Sequence, residues 1–146
     1  MATDHSTEWT RFEKANTEAN RLNKTIVFEA LSQAGITNVC VSFDGEGDQG
    51  QMERASAHAH GNEVEFPAVN VPIREAEHRS PELALREVNL QEAVEHLCYG
   101  YLEQQYGGWE NNEGAFGEFL FDVAARTITL EYYGRIIETD YSSHTF

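Results

Sequence analysis

The chain is short of basic residues, and this shortage excludes two classes of protein. It contains 10 Lys and Arg against 25 Asp and Glu in 146 residues, which gives a formal net charge of −15. Binding to nucleic acid depends on Lys and Arg displacing counterions from phosphates, so direct nucleic-acid binding is excluded. Attraction to an anionic membrane surface is excluded for the same reason. The charge instead favours basic protein surfaces and cations as partners.

Cysteine and long apolar runs are also scarce. Cys40 and Cys98 are the two cysteines, they form no CxxC pair, and both lie among apolar residues. We therefore expect two reduced, buried thiols in a cytoplasmic protein, and no disulfide framework. No run approaches the roughly 18 apolar residues of a membrane-spanning helix. The first 16 residues lack the basic and apolar regions of a signal peptide.

The acidity does not make the chain disordered. Hydrophobic residues make up 40% of the sequence and aromatic residues 11%, which is enough to build a core. The length is that of one domain. We predict a single α+β domain over residues 1–146, with residues 1–5 and 142–146 frayed.

Apolar residues recur at steps of three and four in two segments, which predicts two helices. The first occupies the N-terminal third, with Ser6 or Thr7 as its N-cap, Gly35 after its C-terminus and a break near Asn23 as an alternative. The second begins after Asn89, which forms a variant of the capping box with Glu92. Its apolar stripe consists of Leu90, Ala93, Val94, Leu97, Cys98, Tyr101 and Leu102.

Alternating apolar residues predict the strands. One covers residues 38–44, and a hairpin turning at Gly61-Asn62 makes residues 51–60 a strand, with a short helix as the competing interpretation. Two more strands flank a turn at residues 124–126, and residues 135–141 add or extend a strand. Residues 67–88 hold all three prolines and are expected to be irregular. This order predicts a two-layer α+β fold, in which a mainly antiparallel sheet is packed by the N-terminal helix, or helix pair, and a central helix.

A glycine-rich segment at residues 44–50 is expected to be a loop. It matches the G-x-G-x-x-G pattern, but its three carboxylates would repel a pyrophosphate, so dinucleotide binding is rejected. Asp44, Glu46 and Asp48 alternate in the manner of a calcium-binding loop. The match to an EF-hand then fails, because Gln49 and Ala55 occupy positions that need Gly and Glu.

A second glycine-rich segment spans residues 107–117. It combines four glycines with Trp109, Phe116, Glu110 and Glu113. The two aromatic residues either fill the core or are exposed anchors of an interface.

Catalytic patterns are absent from the sequence. There is no GxSxG, P-loop or HExxH motif. His58 and His60 are spaced to share a strand face, but no third metal ligand is evident. Cys98 lies in the apolar stripe, which is typical of a core residue.

Acidic residues are concentrated in two segments without Lys or Arg. Residues 25–53 contain five acids and residues 87–125 contain eight. Both segments include a glycine-rich stretch, so we predict one strongly negative surface around these stretches. Such a surface accelerates association with a positive partner.

Two stretches resemble a bacterial family of unknown function that is carried on plasmids, integrative elements and prophage-like regions. They are VSFDGEGDQGQME at residues 41–53 and GGWENNEGAFGEFLFDVAARTITLEYY at residues 107–133, and the resemblance covers roughly residues 22–138. It transfers no catalytic residue, because no activity is assigned to that family. It implies a prokaryotic cytosolic protein from a mobile element. Such elements often encode small acidic proteins that block host defence nucleases.

The leading hypothesis is a small non-enzymatic binding protein. It would act as an anti-defence inhibitor of the anti-CRISPR or anti-restriction type, presenting its acids as a DNA mimic to the basic nucleic-acid-binding cleft of a CRISPR effector or restriction nuclease. The predicted partner-binding residues are Asp44, Glu46, Asp48, Glu53, Trp109, Glu110 and Glu113. No cofactor is needed for this function. One alternative is a divalent-cation module in which Asp44, Glu46 and Asp48 bind calcium or magnesium, and another is an enzyme acting on a cationic substrate.

Overall fold

A computed structural model describes residues 4–46, 49–77, 82–107, 114–135 and 140–146. Their elements are α1 (Asp4–Gln33), β1 (Asn38–Glu46), β2 (Gln49–Ala59), β3 (Asn62–Val64), β4 (Asn70–Glu75), β5 (Ala84–Asn89), α2 (Leu90–Gln105), β6 (Ala115–Asp122), β7 (Thr127–Gly134) and β8 (Asp140–Thr145). Six strands form a sheet in the order β3-β2-β1-β6-β7-β8, and β4 and β5 form a second sheet. The described strand pairs are antiparallel, and the helices pack against the large sheet. The predicted α+β fold is confirmed.

Helix α1 runs unbroken through Asn23. It already contains Ser6 and Thr7, so the prediction that one of them caps its start is wrong. Its C-terminus is as predicted, because Gly35 adopts φ +75° and the N–H of Ile36 donates to the carbonyl oxygen of Leu31 at 3.0 Å. A positive φ at this position favours glycine, which carries no Cβ.

Helix α2 follows its prediction closely. The backbone N–H of Glu92 donates to Oδ1 of Asn89 at 2.9 Å, and Nδ2 of Asn89 donates to Oε1 of Glu92 at 3.1 Å. All seven residues of the predicted apolar stripe are buried. The helix therefore turns one continuous apolar face towards the core.

The core lies between the helices and one face of the large sheet. Its strand residues alternate with outward-facing ones and include Val39, Val41, Phe43, Phe119, Phe121, Ile128 and Leu130. From α1, the ring of Phe28 lies 5.7 Å from that of Phe121. Directly after α2, the ring of Tyr106 stacks on that of Tyr132, with 3.7 Å between the ring centroids. Both helices thus cover the same face of the sheet.

The first glycine-rich segment is mostly strand, and the prediction of a loop there is wrong. Strand β1 continues to Glu46 and β2 begins at Gln49, with Gly45 opposite Gly50. Gly45 and Gly50 therefore extend a hairpin ladder, and residues 47–48 lie outside the described residues.

Residues 67–88 also contain unpredicted strands, β4 and β5. Val71 and Ile73 are buried while Pro72 between them is exposed. Each strand of a two-stranded sheet is an edge strand, where proline is tolerated because its missing N–H can face away from the partner. Proline therefore did not exclude a strand here.

The expectation that residues 142–146 are frayed is wrong. Residues 142–145 belong to β8 and pair with β7, and Phe146 stacks on Tyr101 with 4.5 Å between ring centroids. The strand expected within residues 135–141 begins only at Asp140.

Candidate functional site

The large sheet has a second face, turned away from both helices, which we call the open face. Strand side chains alternate between the two faces, so the residues between the core positions point to this side. The open face comprises Arg54, Ser56, Cys40, Ser42, Asp44, Phe116, Glu118, Leu120, Thr129, Glu131, Tyr133, Tyr141, Ser143 and Thr145. All of these side chains are partly or largely exposed, and no helix of the described chain packs on them.

Three aromatic residues form a row across the open face. Phe116, Tyr133 and Tyr141 are direct partners on β6, β7 and β8. Phe116 and Tyr133 are stacked, with 5.0 Å between centroids and 9° between planes, and Tyr141 lies 5.0 Å from Tyr133. Tyr141 is 51% exposed. We call these three residues the aromatic row. Exposed aromatic groups of this kind are enriched among interface hot spots.

Asp44 is held by an arginine at one end of the aromatic row. Nη1 of Arg135 lies 2.8 Å from Oδ1 of Asp44, and Nη2 donates to Oδ2 at 3.0 Å. Nη1 also donates to the carbonyl oxygen of Gly45 at 3.0 Å. The guanidinium carbon lies 4.9 Å from the ring centroid of Phe116, a cation–π distance. A metal ion at Asp44 would have to displace this guanidinium.

Two further carboxylates lie next to the aromatic row. Glu118 and Glu131 are opposite each other on β6 and β7. Glu118 accepts a hydrogen bond from Sγ of Cys40 at 3.5 Å, and neither carboxylate has a basic partner among the described residues. Desolvation raises the pKa of Tyr133, and the charges of Glu131 and Glu118 raise it further. The open face thus combines aromatic rings with carboxylates that lack a counterion in the described parts of the chain.

The structure describes only some of the predicted partner-binding residues. Asp48, Trp109, Glu110 and Glu113 lie outside the described residues. Glu46 is in β1 opposite Gln49, and Glu53 is exposed on β2 at a β-bulge.

The described parts of the two glycine-rich segments lie on neighbouring strands. Gly45, near the end of β1, pairs with Ala115 at the start of β6. Asp44, the first of the predicted acids, therefore lies in the same register row as Phe116 of the second segment. This places one predicted partner-binding residue directly beside the aromatic row.

Sequence reasoning missed most of the residues that the open face brings together. Phe116 is one of the anchors that the sequence suggests, whereas Glu118, Glu131, Tyr133 and Tyr141 are not among the predicted residues. A signal was present, because Tyr133 alternates in the opposite phase to Ile128 and Leu130. An aromatic residue in the outward phase of a strand indicates either a second packed layer or an exposed contact surface.

Arginines from outside the two acidic segments reduce their negative charge. Arg126 donates to Glu29 at 2.9 Å, and Arg135 pairs with Asp44. The continuous negative surface predicted from the count of acids is thereby interrupted at both carboxylates. These partners are distant in sequence, so counting charges within a segment does not detect them.

The two histidines do not share a strand face as predicted. Nε2 of His58 lies 3.2 Å from Oγ of Ser56, whereas His60 occupies the β2–β3 turn with φ 53°. No cluster of three or more His, Cys, Asp and Glu residues suited to a metal occurs within residues 4–46, 49–77, 82–107, 114–135 and 140–146.

Cys98 is buried as expected, whereas Cys40 is only partly buried, and the expectation is wrong for this residue. Cys40 is nevertheless predicted to react slowly with alkylating reagents. Burial raises the pKa of its thiol to about 11, and Glu118 adds to this effect. The reactive thiolate is scarce at neutral pH, which is the opposite of an activated nucleophile. At pH 8 we expect iodoacetamide to label Cys40 about 100-fold more slowly than an unperturbed cysteine.

Mass spectrometry of the labelled protein checks this expectation. The rate at Cys40 should rise about tenfold per pH unit up to about pH 11, while buried Cys98 stays unlabelled in the folded protein. A rate equal to that of free cysteine at pH 8 would contradict the environment described for Cys40.

In the described ranges of the chain, neither helix combines the length and the apolar character that crossing a membrane requires. A family model described as a family of unknown function (DUF6878) matches residues 19–146. No curated protein matches the chain, and no solved structure does either.

Proposed function

The chain belongs to DUF6878, a family of unknown function, and we propose that it is a non-enzymatic binding protein whose open face docks on a basic surface of another protein. The observation that carries this proposal is the aromatic row beside Glu118 and Glu131 on an uncovered sheet face. Aromatic anchors supply contact area, and carboxylates without counterions supply complementarity to a positive partner. The raised pKa of Cys40 weighs against nucleophilic catalysis at this face.

We further propose the class of partner. The net charge of −15 suits a protein that itself binds nucleic acid, because its basic cleft would accept carboxylates in place of phosphates. A subunit of a CRISPR effector or of a restriction nuclease in the bacterial cytoplasm is such a partner. The protein would then be a mobile-element inhibitor of host defence, which agrees with the resemblance of its glycine-rich segments. This narrower proposal is supported by the net charge and by that resemblance.

Capture from lysate of the native host tests the proposal. The immobilised protein is loaded at low salt and eluted with a salt gradient, because contacts between opposite charges weaken as ionic strength rises. We expect a stoichiometric basic protein that binds nucleic acid and that leaves the column at moderate salt. Its affinity is then measured with purified components.

Charge reversal on the open face should weaken this complex. The double substitution Glu118→Lys and Glu131→Lys places two like charges against the basic partner, so we expect a loss of about 10- to 100-fold in affinity. The matched control is Glu77→Lys with Glu87→Lys, which changes the net charge equally at two exposed positions outside the open face. The control should lose less than about threefold.

Three results would contradict the proposal. One is that no partner is captured. Another is that the control and open-face variants lose the same affinity, which would make net charge the only determinant. The third is that the open-face variant binds like the wild type.

A further inference from the structure

We propose that the open face selects arginine in its partner. An arginine side chain would lie against Tyr133 and Tyr141 of the aromatic row, with its guanidinium beside Glu131. This inference rests on the proposed function and names the side chain that the same surface takes.

The protein already binds one of its own arginines in this way. Arg135 lies over Phe116 and makes two contacts with the carboxylate of Asp44. One ring face and one carboxylate, both projecting from the open face, thus hold a planar cation at this end of the row. The arrangement shows which chemistry this surface accommodates.

The other end of the aromatic row repeats the same elements. Tyr133 and Tyr141 supply rings, and Tyr141 is half exposed. Glu131 lies two residues before Tyr133 on β7, so both side chains emerge on the open face. The carboxylate of Glu131 is close enough to raise the pKa of Tyr133. No arginine or lysine pairs with Glu131 among the described residues, which leaves this end to a cation from a partner.

The geometry favours arginine over lysine. A guanidinium is planar, stacks on aromatic rings and contacts a carboxylate through two N–H groups, as Arg135 does with Asp44. An ammonium is a strongly hydrated point charge that gains less from a flat aromatic surface. A cation–π contact at a partly exposed site is favourable enough to give about a fivefold preference.

Two peptides that differ only in the type of basic residue test the inference. Each alternates glycine with a basic residue, arginine in one and lysine in the other, so their charges are equal. Binding to the full chain is measured by calorimetry at about 0.15 M salt, where distant charges are screened. We expect the arginine peptide to bind about fivefold more tightly than the lysine peptide.

Substitutions on the open face locate the preference. Tyr141→Ala should abolish the preference for arginine. This side chain is 51% exposed, so the variant should keep the fold, and circular dichroism checks this. Glu131→Gln should weaken binding of the arginine peptide about fivefold. Glu87→Gln, which removes the same charge from the two-stranded sheet, should change it less than twofold.

The outcomes separate this inference from the proposed function. Equal affinity for the two peptides, with weakening by Glu131→Gln but not by Glu87→Gln, would overturn arginine selection and leave a basic-partner surface. Equal effects of Glu131→Gln and Glu87→Gln would overturn both. A preference for arginine that survives Tyr141→Ala would overturn the location on the aromatic row.

Discussion

Replacing Gly117 with alanine should destabilise the protein by about 3 kcal/mol or more. A Cβ at this position would lie 2.0 Å from the backbone carbonyl oxygen of Glu131 and 3.0 Å from Cζ of Phe43. The first contact is with the backbone of the neighbouring strand, so it is relieved only if β6 and β7 move apart. Such movement weakens the strand pairing, and the second contact prevents a simple shift towards the core.

The effect should extend to the proposed binding surface. Gly117 lies between Phe116 and Glu118, which pair with Tyr133 and Glu131 across the same two strands. A distortion of this pairing changes the spacing of the aromatic row and of the two carboxylates. We therefore expect Gly117→Ala to weaken partner binding even at temperatures where the protein remains folded.

Urea unfolding of Gly117→Ala beside Gly134→Ala measures the stability effect. Gly134 is also a strand glycine, but a Cβ there meets its nearest atom, Cε1 of Tyr132, at an ordinary 3.5 Å. The control should change the free energy of unfolding by less than about 0.5 kcal/mol. If Gly117→Ala were as stable as the wild type, the close approach of β6 and β7 at this residue would be wrong.

The elements that could be predicted are those whose pattern is local. Helix α2 shows its capping residues and apolar stripe within residues 89–102, and the strand pair β6–β7 shows alternation on both sides of a turn. Strands β4 and β5 are not predicted, because the prolines in residues 67–88 indicate an irregular segment more strongly than the short apolar alternation indicates a strand. The effect of proline depends on whether its strand is an edge, and this is a property of the sheet that the local sequence does not carry.

The candidate site depends on longer-range relations. The pair between Arg135 and Asp44 joins residues 91 positions apart. The exposure of the aromatic row depends on which sheet face the helices cover, and strand alternation alone leaves that open. The sequence predicts the site in the glycine-rich segments, where acids are conspicuous. The described structure places uncompensated carboxylates with aromatic rings on the strands that follow.

Asn23 illustrates the same limit within a helix. The sequence leaves a break near Asn23 open as an alternative, and asparagine is a weak helix former. In the structure Asn23 is fully buried, its Nδ2 donates to the carbonyl oxygen of Arg74 at 2.9 Å, and the N–H of Arg74 donates to its Oδ1 at 2.7 Å. Its amide therefore pairs with the free edge of β4 as another strand would. The hydrogen-bond partner that accounts for an asparagine here lies 51 positions away in the sequence.

Replacing Asn23 with leucine should destabilise the protein by about 3 kcal/mol. Leucine fills a similar volume and favours helix more than asparagine does, so local propensity predicts a gain. The substitution leaves the N–H of Arg74 without this partner and removes one of two donors from its carbonyl, which also accepts from His96. An unsatisfied buried group costs about 1–3 kcal/mol, and the lost bond to the carbonyl adds to this. The loss should lower the melting temperature by about 10 °C. Thr25→Ala, an exposed change on the same helix, should cost less than about 0.5 kcal/mol.

The variant Asn23→Asp distinguishes the contribution of the two hydrogen bonds to stability from that of side-chain packing. A protonated carboxyl can accept from the N–H of Arg74 and donate to its carbonyl, whereas an ionised one turns an acceptor towards that carbonyl. The pKa of the new carboxyl should therefore be higher in the folded than in the unfolded protein. The folded state then binds more protons, so the variant is closest to wild-type stability below the unfolded pKa of about 3.9 and loses stability as the pH rises through the folded pKa. Comparing each variant with the wild type at the same pH removes the titration of the native acids. The loss of unfolding free energy of Asn23→Asp relative to the wild type should therefore be larger at about pH 7 than at about pH 4. If this loss were the same at both pH values, the two bonds to Arg74 would not be what holds β4 against α1.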